Sequence, residues 1–184
     1  MARTPEYKTL RALVRRLHQA GYQPVLVGAL ALVAYGSSRV TFDTDLLAAR
    51  PRNLDEAKAL MAAAAAAGFV YVTKFDQDGN PVTWLDVPNV AAARLTIEAP
   101  DTCFLWNRQT RMRVDLLLGF PIPASEVLVD AKELPLGGSV VLPVASLSKL
   151  AVLKEIAIRD RNRPEDAQDL SFIRTKLSAT DASD

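Results

Sequence analysis

The sequence predicts an α/β chain: a mixed β-sheet flanked by helices, with a small helical C-terminal part. Three observations predict it. The apolar pattern runs helix, strand, helix, strand, helix and then several strands in succession, and the chain closes on two helical stretches. Of the 184 residues, 49% are hydrophobic and 23% charged, enough to bury a core without the profile of a disordered or membrane chain. No internal repeat or long linker divides the chain. One domain is therefore expected over residues 1–177, with a core at about 22–120, C-terminal helices at about 146–177 and a disordered tail at 178–184.

Taken in order, Leu10, Leu13, Val14 and Leu17 recur at helical spacing among Lys8, Arg11, Arg15 and Arg16, so residues 5–20 read as an amphipathic helix ended by Gly21. Val25 to Val27 make a short buried strand, Gly28 breaks it, and Ala29 to Tyr35 read as a helix. Phe42 to Ala48 form the next strand. Asn53 caps a helix that carries Leu54, Ala57, Leu60 and Met61 and closes at Gly68. Phe69 to Phe75 alternate as a strand, the polar run Asp76 to Pro81 turns, and Val82 to Val87 return. That turn resembles a calcium loop only faintly, since its glycine falls early and no bidentate glutamate follows at the required spacing. Ala93 to Ile97 and Met112 to Leu118 are two further strands, with Trp106 and Arg108 on their connection. After Pro121 and Pro123 come a short helix or turn, a hairpin through Gly137 and Gly138, and helices over Ser146 to Arg161 and Pro164 to Leu177.

Charge and scarce residue types narrow the chemistry. Lys and Arg number 22 against 21 Asp and Glu, so bulk attraction to nucleic acid or an acidic membrane is excluded and any such attraction must be local. One cysteine, Cys103, excludes an internal disulfide and a multi-thiolate zinc site, and one histidine, His18, argues against a histidine-rich metal site. Carboxylates, lysines and arginines remain as the working groups. The uncharged stretch Gln19 to Ser38 follows Arg15 and Arg16 like a signal peptide, but its apolar part, Pro24 to Tyr35, is shorter than the roughly 20 residues that span a bilayer. A cytoplasmic location with no membrane contact is the expectation.

Four features carry candidate chemistry. Asp43 and Asp45, at i and i+2 of a strand, share a face; two such charges roughly 4 to 5 Å apart repel by about 4 kcal/mol at an effective dielectric of 20 and call for a cation between them. Hard oxygen donors suit Mg²⁺, although a solvated edge strand also tolerates two aspartates. Asp115 lies in the leucine-rich run Arg113 to Leu118. It either joins the other two carboxylates, giving a set able to hold two metals and to take a proton from an attacking hydroxyl, or pairs with Arg113 or Arg111 across the sheet. At Val27-Gly28-Ala29 a strand meets a helix through glycine, which suits an anion but is also a common turn, and neither a P-loop nor a dinucleotide fingerprint is present. Lys154 falls on the apolar stripe of Leu147, Leu150, Ala151 and Ile158. An inward lysine needs an anion, either a structural carboxylate such as Asp166 or Asp169 or a nucleotide phosphate.

In chain order these residues read Gly28-Ala29, the run Gly36 to Asp45 with Arg39, Thr41, Asp43 and Asp45, then Val114-Asp115-Leu116-Leu117, then Leu150, Lys154 and Arg159, then Arg163 to Leu170 with Asp166 and Asp169. The pattern resembles the minimal nucleotidyltransferases of the polymerase β superfamily, and in particular the AbiEii-like bacterial group that supplies toxins of type IV toxin-antitoxin systems. The resemblance runs from about residue 22 to 174. It implies the nucleotidyltransferase fold and a two-metal Mg²⁺ site on Asp43, Asp45 and Asp115, with Asp115 as base. It also implies an NTP cradle at Gly28, Ala29, Arg39 and Thr41, a phosphate contact from Lys154, and Asp166 or Asp169 completing the site. Ala29 stands where the family usually has a second glycine or a serine, which keeps the amide but loses the hydroxyl or the closest approach. Thr44 replaces a large aliphatic residue on the face opposite the carboxylates.

The implied activity is Mg²⁺-dependent transfer of NMP from an NTP to an acceptor hydroxyl, on RNA such as tRNA or on a protein, in a chain paired with a cognate antitoxin. Two other readings stand beside it: a catalytically silent binding or antitoxin partner with the same fold, and an antibiotic nucleotidyltransferase of the aminoglycoside or lincosamide type. Arg11, Arg15 and Arg16, with Arg108, Arg111 and Arg113, are candidates for guiding an RNA backbone. Trp84 and Trp106 read as core or surface anchors more readily than as base-stacking residues.

Overall fold

The computed structural model describes residues 4–41, 43–137, 139–161 and 163–181, without the side chains of 4, 180 and 181. Helix α1, Thr4–Gln19, turns Leu10, Leu13, Val14 and Leu17 fully into the core and leaves Lys8, Arg11, Arg15 and Arg16 exposed. Strand β1, Val25–Val27, passes directly into helix α2, Gly28–Ala34. Strand β2 is only Asp45–Ala48, so the strand expected from Phe42 starts later; Phe42 lies outside the described residues and Asp43 precedes the strand in the loop. Helix α3, Leu54–Ala66, begins at the expected cap, where Asn53 Oδ1 accepts from the Glu56 amide at 2.9 Å. Strands β3, Phe69–Phe75, and β4, Pro81–Leu85, form the hairpin.

The next stretch departs from the sequence expectation. Ala93 to Ile97 is part of helix α4, Pro88–Glu98, and the strand that precedes the 112–118 strand is β5, Thr102–Asn107, which takes in Trp106. The β-branched Thr96 and Ile97 beside Leu95 imitate a strand. Pro88 at the first helical position, the i, i+3 and i+4 contacts of Ala91, Ala92 and Leu95 with the core, and the Arg94–Glu98 pair at 2.8 Å decide for the helix. Ile97 is left almost fully exposed, the opposite of what a core strand would do with it.

Strand β6, Met112–Leu118, helix α5, Ala124–Leu128, and the hairpin β7, Lys132–Gly137, with β8, Val140–Val144, follow as expected; Gly138 lies outside the described residues. Helices α6, Leu147–Arg161, and α7, Pro164–Asp181, pack on each other at the end of the chain. Helix α7 runs on through the start of the stretch expected to be a disordered tail; residues 182–184 of that tail lie outside the described residues.

The strands form one mixed eight-stranded sheet in the order β4-β3-β5-β6-β2-β1-β8-β7. Strand β2 pairs antiparallel with β1 and parallel with β6, so the short acidic strand lies at the centre. The period of two in β5 and β6 then separates the faces. Cys103, Leu105, Val114, Leu116 and Leu118 are buried in the core, and Phe104, Arg113, Asp115 and Leu117 point to the other side.

Candidate active site

The parallel register sets Asp45 directly opposite Asp115, and the Asp115 amide donates to the Thr44 carbonyl at 2.8 Å. Thr44 itself is buried. Asp43, exposed just before the strand, joins the other two carboxylates through the chain rather than through a shared strand face. Gly28 lies against this pair. A Cβ there would stand 2.9 Å from Asp45 Cγ, and the residue has φ +68°, so both space and backbone require glycine. Glycine thus seats a carboxylate here, a role distinct from the anion approach that the strand-to-helix junction suggested.

Of the three carboxylates Asp45 is the one set in a buried, like-charged environment with no ion pair among the described residues. Burial, followed by repulsion from Asp115 and Asp43, pushes the Asp45 carboxyl from its ordinary 3.8 up to about 7, with Lys154 and Arg161 pulling weakly the other way. Asp115 is also raised, mainly by burial, against the opposing hydrogen bonds of Arg113. Arg113 pairs with it from the same strand, two residues earlier, through Nε at 2.7 Å and a terminal nitrogen at 2.8 Å. The partner expected across the sheet is therefore a neighbour on its own strand face. The guanidinium of Arg113 rests 4.5 Å from the Phe75 ring centroid and 5.0 Å from that of Phe104, and these rings meet edge to face.

The facing wall is built from α6 and α7. Lys154 is buried, as its stripe predicted, and its Nζ donates to Asp166 at 2.8 Å and lies 2.6 Å from an Asp169 oxygen. Of the two anions that the sequence left open for this lysine, the structural carboxylates are the ones in contact. Arg161 adds bonds to Asp166 at 2.9 and 3.2 Å, and Arg39, from the loop after α2, pairs with Asp169. Burial disfavours the charge of Asp166, but the bonds from Arg161 and Lys154 outweigh it and hold the carboxyl below its usual range. This network sets three cations on two anions, while Arg163, Asp160 and Glu165, which also line the cleft on this side, bring the whole wall to balance.

Between the walls lies a cleft of about 970 Å³. Gly28, Ala29, Arg39, Thr41, Asp43, Asp45, Asp115, Lys154 and Asp166 all line it, and Asp169 stands behind as a partner of Arg39 and Lys154. Thr41 donates to the Asp43 carbonyl at 3.4 Å and so shapes the loop that carries the first aspartate. Arg159 is exposed and outside the cleft lining, and pairs with Asp160, which lines it. Arg161 and Arg163, which line the cleft, were not singled out by the sequence; only their position at the junction of two terminal helices could have marked them. Trp84 and Trp106 do not reach the cleft lining, and Arg108 lies over Trp84 at 5.9 Å on the far edge of the sheet.

No protein-family model matches this chain, and no curated protein matches it. Among solved structures it is similar to the antibiotic-resistance factor ANT(2'')-Ia, with a TM-score of 0.58 at 10% identity over 97% of this chain and 88% of that one. An antigenic nucleotidyltransferase-like protein from Paracoccidioides brasiliensis superposes with a TM-score of 0.53 at 16% identity, over 91% of this chain and 74% of the other. The chain has the nucleotidyltransferase fold. Its central β1-β2-β6 strands and the Gly28 junction are the part of that fold that carries the carboxylates.

A nucleotidyltransferase fold implies a divalent metal, and the donor set fits one: oxygen ligands only, on adjacent strands, with excess negative charge recorded in the raised Asp45 carboxyl. Among the described residues no three acidic, histidine or cysteine side chains already converge as a ready-made metal cluster. Asp115 has both oxygens turned to Arg113. Among the described residues no helix is long and apolar enough to cross a membrane.

Proposed function

We propose that the chain is an Mg²⁺-dependent nucleotidyltransferase that moves NMP from an NTP to an acceptor hydroxyl. The observation that carries this reading is the opposition of two groups across one cleft: Asp43, Asp45 and Asp115 on the sheet, and the cations Lys154, Arg39, Arg161 and Arg163 on the helices and loop. A triphosphate spans such a pair, its oxygens toward the cations and its reacting phosphorus toward the carboxylates. In the transfer, the acceptor oxygen bonds to the α-phosphorus, the bond from that phosphorus to the β-bridging oxygen breaks, and pyrophosphate leaves with the electron pair. Asp115 takes the hydroxyl proton, a task its raised affinity for protons suits. Bound Mg²⁺ on Asp43, Asp45 and Asp115 supplies charge neutralisation. Lys154 and Arg161 contribute through the field of the wall, since both are paired with carboxylates, and Arg163 lines the cleft beside them.

The similarity to ANT(2'')-Ia keeps a second reading in view, in which the acceptor is an antibiotic. A cationic drug needs acids where the acceptor sits. Asp160 and Glu165 line the cleft from the helical segments beside Arg161 and Arg163, while along β5, β6 and the segment after β6 it is lined by Thr102, Phe104, Arg113, Leu117, Phe120 and Pro121, with no acid but Asp115. This favours a neutral or anionic acceptor such as an RNA end, and leaves the AbiEii-like toxin role and its antitoxin partner as the biological setting we infer. Incubation with α-labelled NTPs, Mg²⁺ and pooled tRNA or cell extract tests the reading: label passes to an acceptor in the wild type and not in Asp43→Asn. Label transfer only in the presence of an aminoglycoside or lincosamide would select the antibiotic reading. NTP binding with no transfer would select a silent partner.

A further inference from the structure

We propose that Arg113 is a positioning residue whose guanidinium serves as the resident counter-ion of Asp115 and competes with a divalent cation for that carboxylate. The inference rests on the reading of Asp43, Asp45 and Asp115 as a cation site. Among the described residues neither Asp43 nor Asp45 makes an ion pair, whereas Asp115 has one bond to each oxygen, at 2.7 and 2.8 Å. That bidentate contact takes up the side of the carboxylate facing the guanidinium and stands with the absence, among the described residues, of three converged metal-binding side chains. A second positive charge on the same carboxylate is repelled by the first, so cation entry is opposed for as long as Arg113 stays.

The aromatic pair gives the guanidinium somewhere else to rest. Phe75 and Phe104 hold it from two directions at 4.5 and 5.0 Å, a contact that does not depend on the bonds to Asp115. Arg113 can thus release the carboxylate and remain desolvated against the rings, and it returns when the cation leaves.

Mn²⁺ titration followed by paramagnetic resonance tests this in the wild type, Arg113→Gln, Arg113→Lys and Asp45→Asn. The expected result is binding roughly five-fold or more tighter in Arg113→Gln, near wild type in Arg113→Lys, and lost in Asp45→Asn. Wild-type binding that depends on Asp45 but is unchanged or weakened in Arg113→Gln overturns the competition while leaving the cation site intact. No Asp45-dependent binding in any variant overturns the cation site and this inference with it. In the wild type itself, the Arg113 Nε–H resonance, assigned by its absence from Arg113→Gln, is expected to shift on Mg²⁺ addition; a signal unmoved at saturating Mn²⁺-competent conditions contradicts the proposal even where a variant folds poorly.

Discussion

The two walls of the cleft both carry buried ionic groups, Asp45 on one and Lys154, Asp166 and Asp169 on the other, yet they are opposite in design. On the helical side the buried charges are paired: Lys154 bridges Asp166 and Asp169, and Arg161 and Arg39 cover the outer oxygens. Its carboxylate Asp166 is held below the usual range. On the sheet side like charges are pressed together, and Asp45 and Asp115 are both raised. The first wall is a clasp that fixes α6, α7 and the loop of Arg39 to one another. The second keeps like charges close, with Arg113 paired to Asp115 and Asp45 taking up a proton more readily than an ordinary carboxylate, an environment of the kind that clusters at functional sites.

Exchanging the character of the walls should expose the difference. Asp45→Asn is expected to lower NMP transfer by about a thousand-fold or more, from lost charge stabilisation, while the metal-free protein melts at the same or a higher temperature at pH 8. A melting temperature that falls with activity would place Asp45 in the clasp category. Lys154→Met, in contrast, leaves two buried carboxylates short of a cation and should destabilise the fold by about 3 to 5 kcal/mol in denaturant titration. If it folds with wild-type stability, the network is not a clasp.

The pH dependence separates the walls in a single protein. Asp45 ordinarily titrates at 3.8 and here at about 7, so the folded state binds the extra proton in between. Its contribution to stability is fully present below about pH 4 and is lost as pH rises through about 7. Asp166, lowered, contributes in the opposite sense, above its usual range and lost only in acid. Metal-free protein is therefore expected to melt several degrees lower at pH 8 than at pH 5.5, Mg²⁺ is expected to restore most of that at pH 8, and Asp45→Asn should flatten the profile. The smallest effect belongs to a position outside both walls. Asn53→Ala removes the cap of α3 and should cost about 1 kcal/mol with transfer activity unchanged.

Most of the fold was legible because its signals are local. Leu10, Leu13, Val14 and Leu17 betray α1, and Asn53 marks the start of α3. The α4 segment was not, because Leu95, Thr96 and Ile97 have strand propensity that tertiary packing of Ala91, Ala92 and Leu95 overrides. In the site, the burial of Lys154 could be read from its apolar stripe, whereas Asp43 lies in the loop before β2 and not on the strand face that its spacing from Asp45 suggested. The pairings could not be read. That Asp45 lies opposite Asp115, that Lys154 meets both Asp166 and Asp169, and that Arg113 turns to its own strand neighbour are long-range or rotameric facts, set by sheet register and by which of several acids a cation can reach.

The central claim is that the sheet wall is a cation site serving a nucleotide held on the opposite wall. Calorimetric titration of a non-hydrolysable NTP analogue, with and without Mg²⁺, tests it most directly. The account predicts binding that requires Mg²⁺, is lost in Asp45→Asn and persists in Asn53→Ala. Binding that is equally tight without metal and in Asp45→Asn would contradict it.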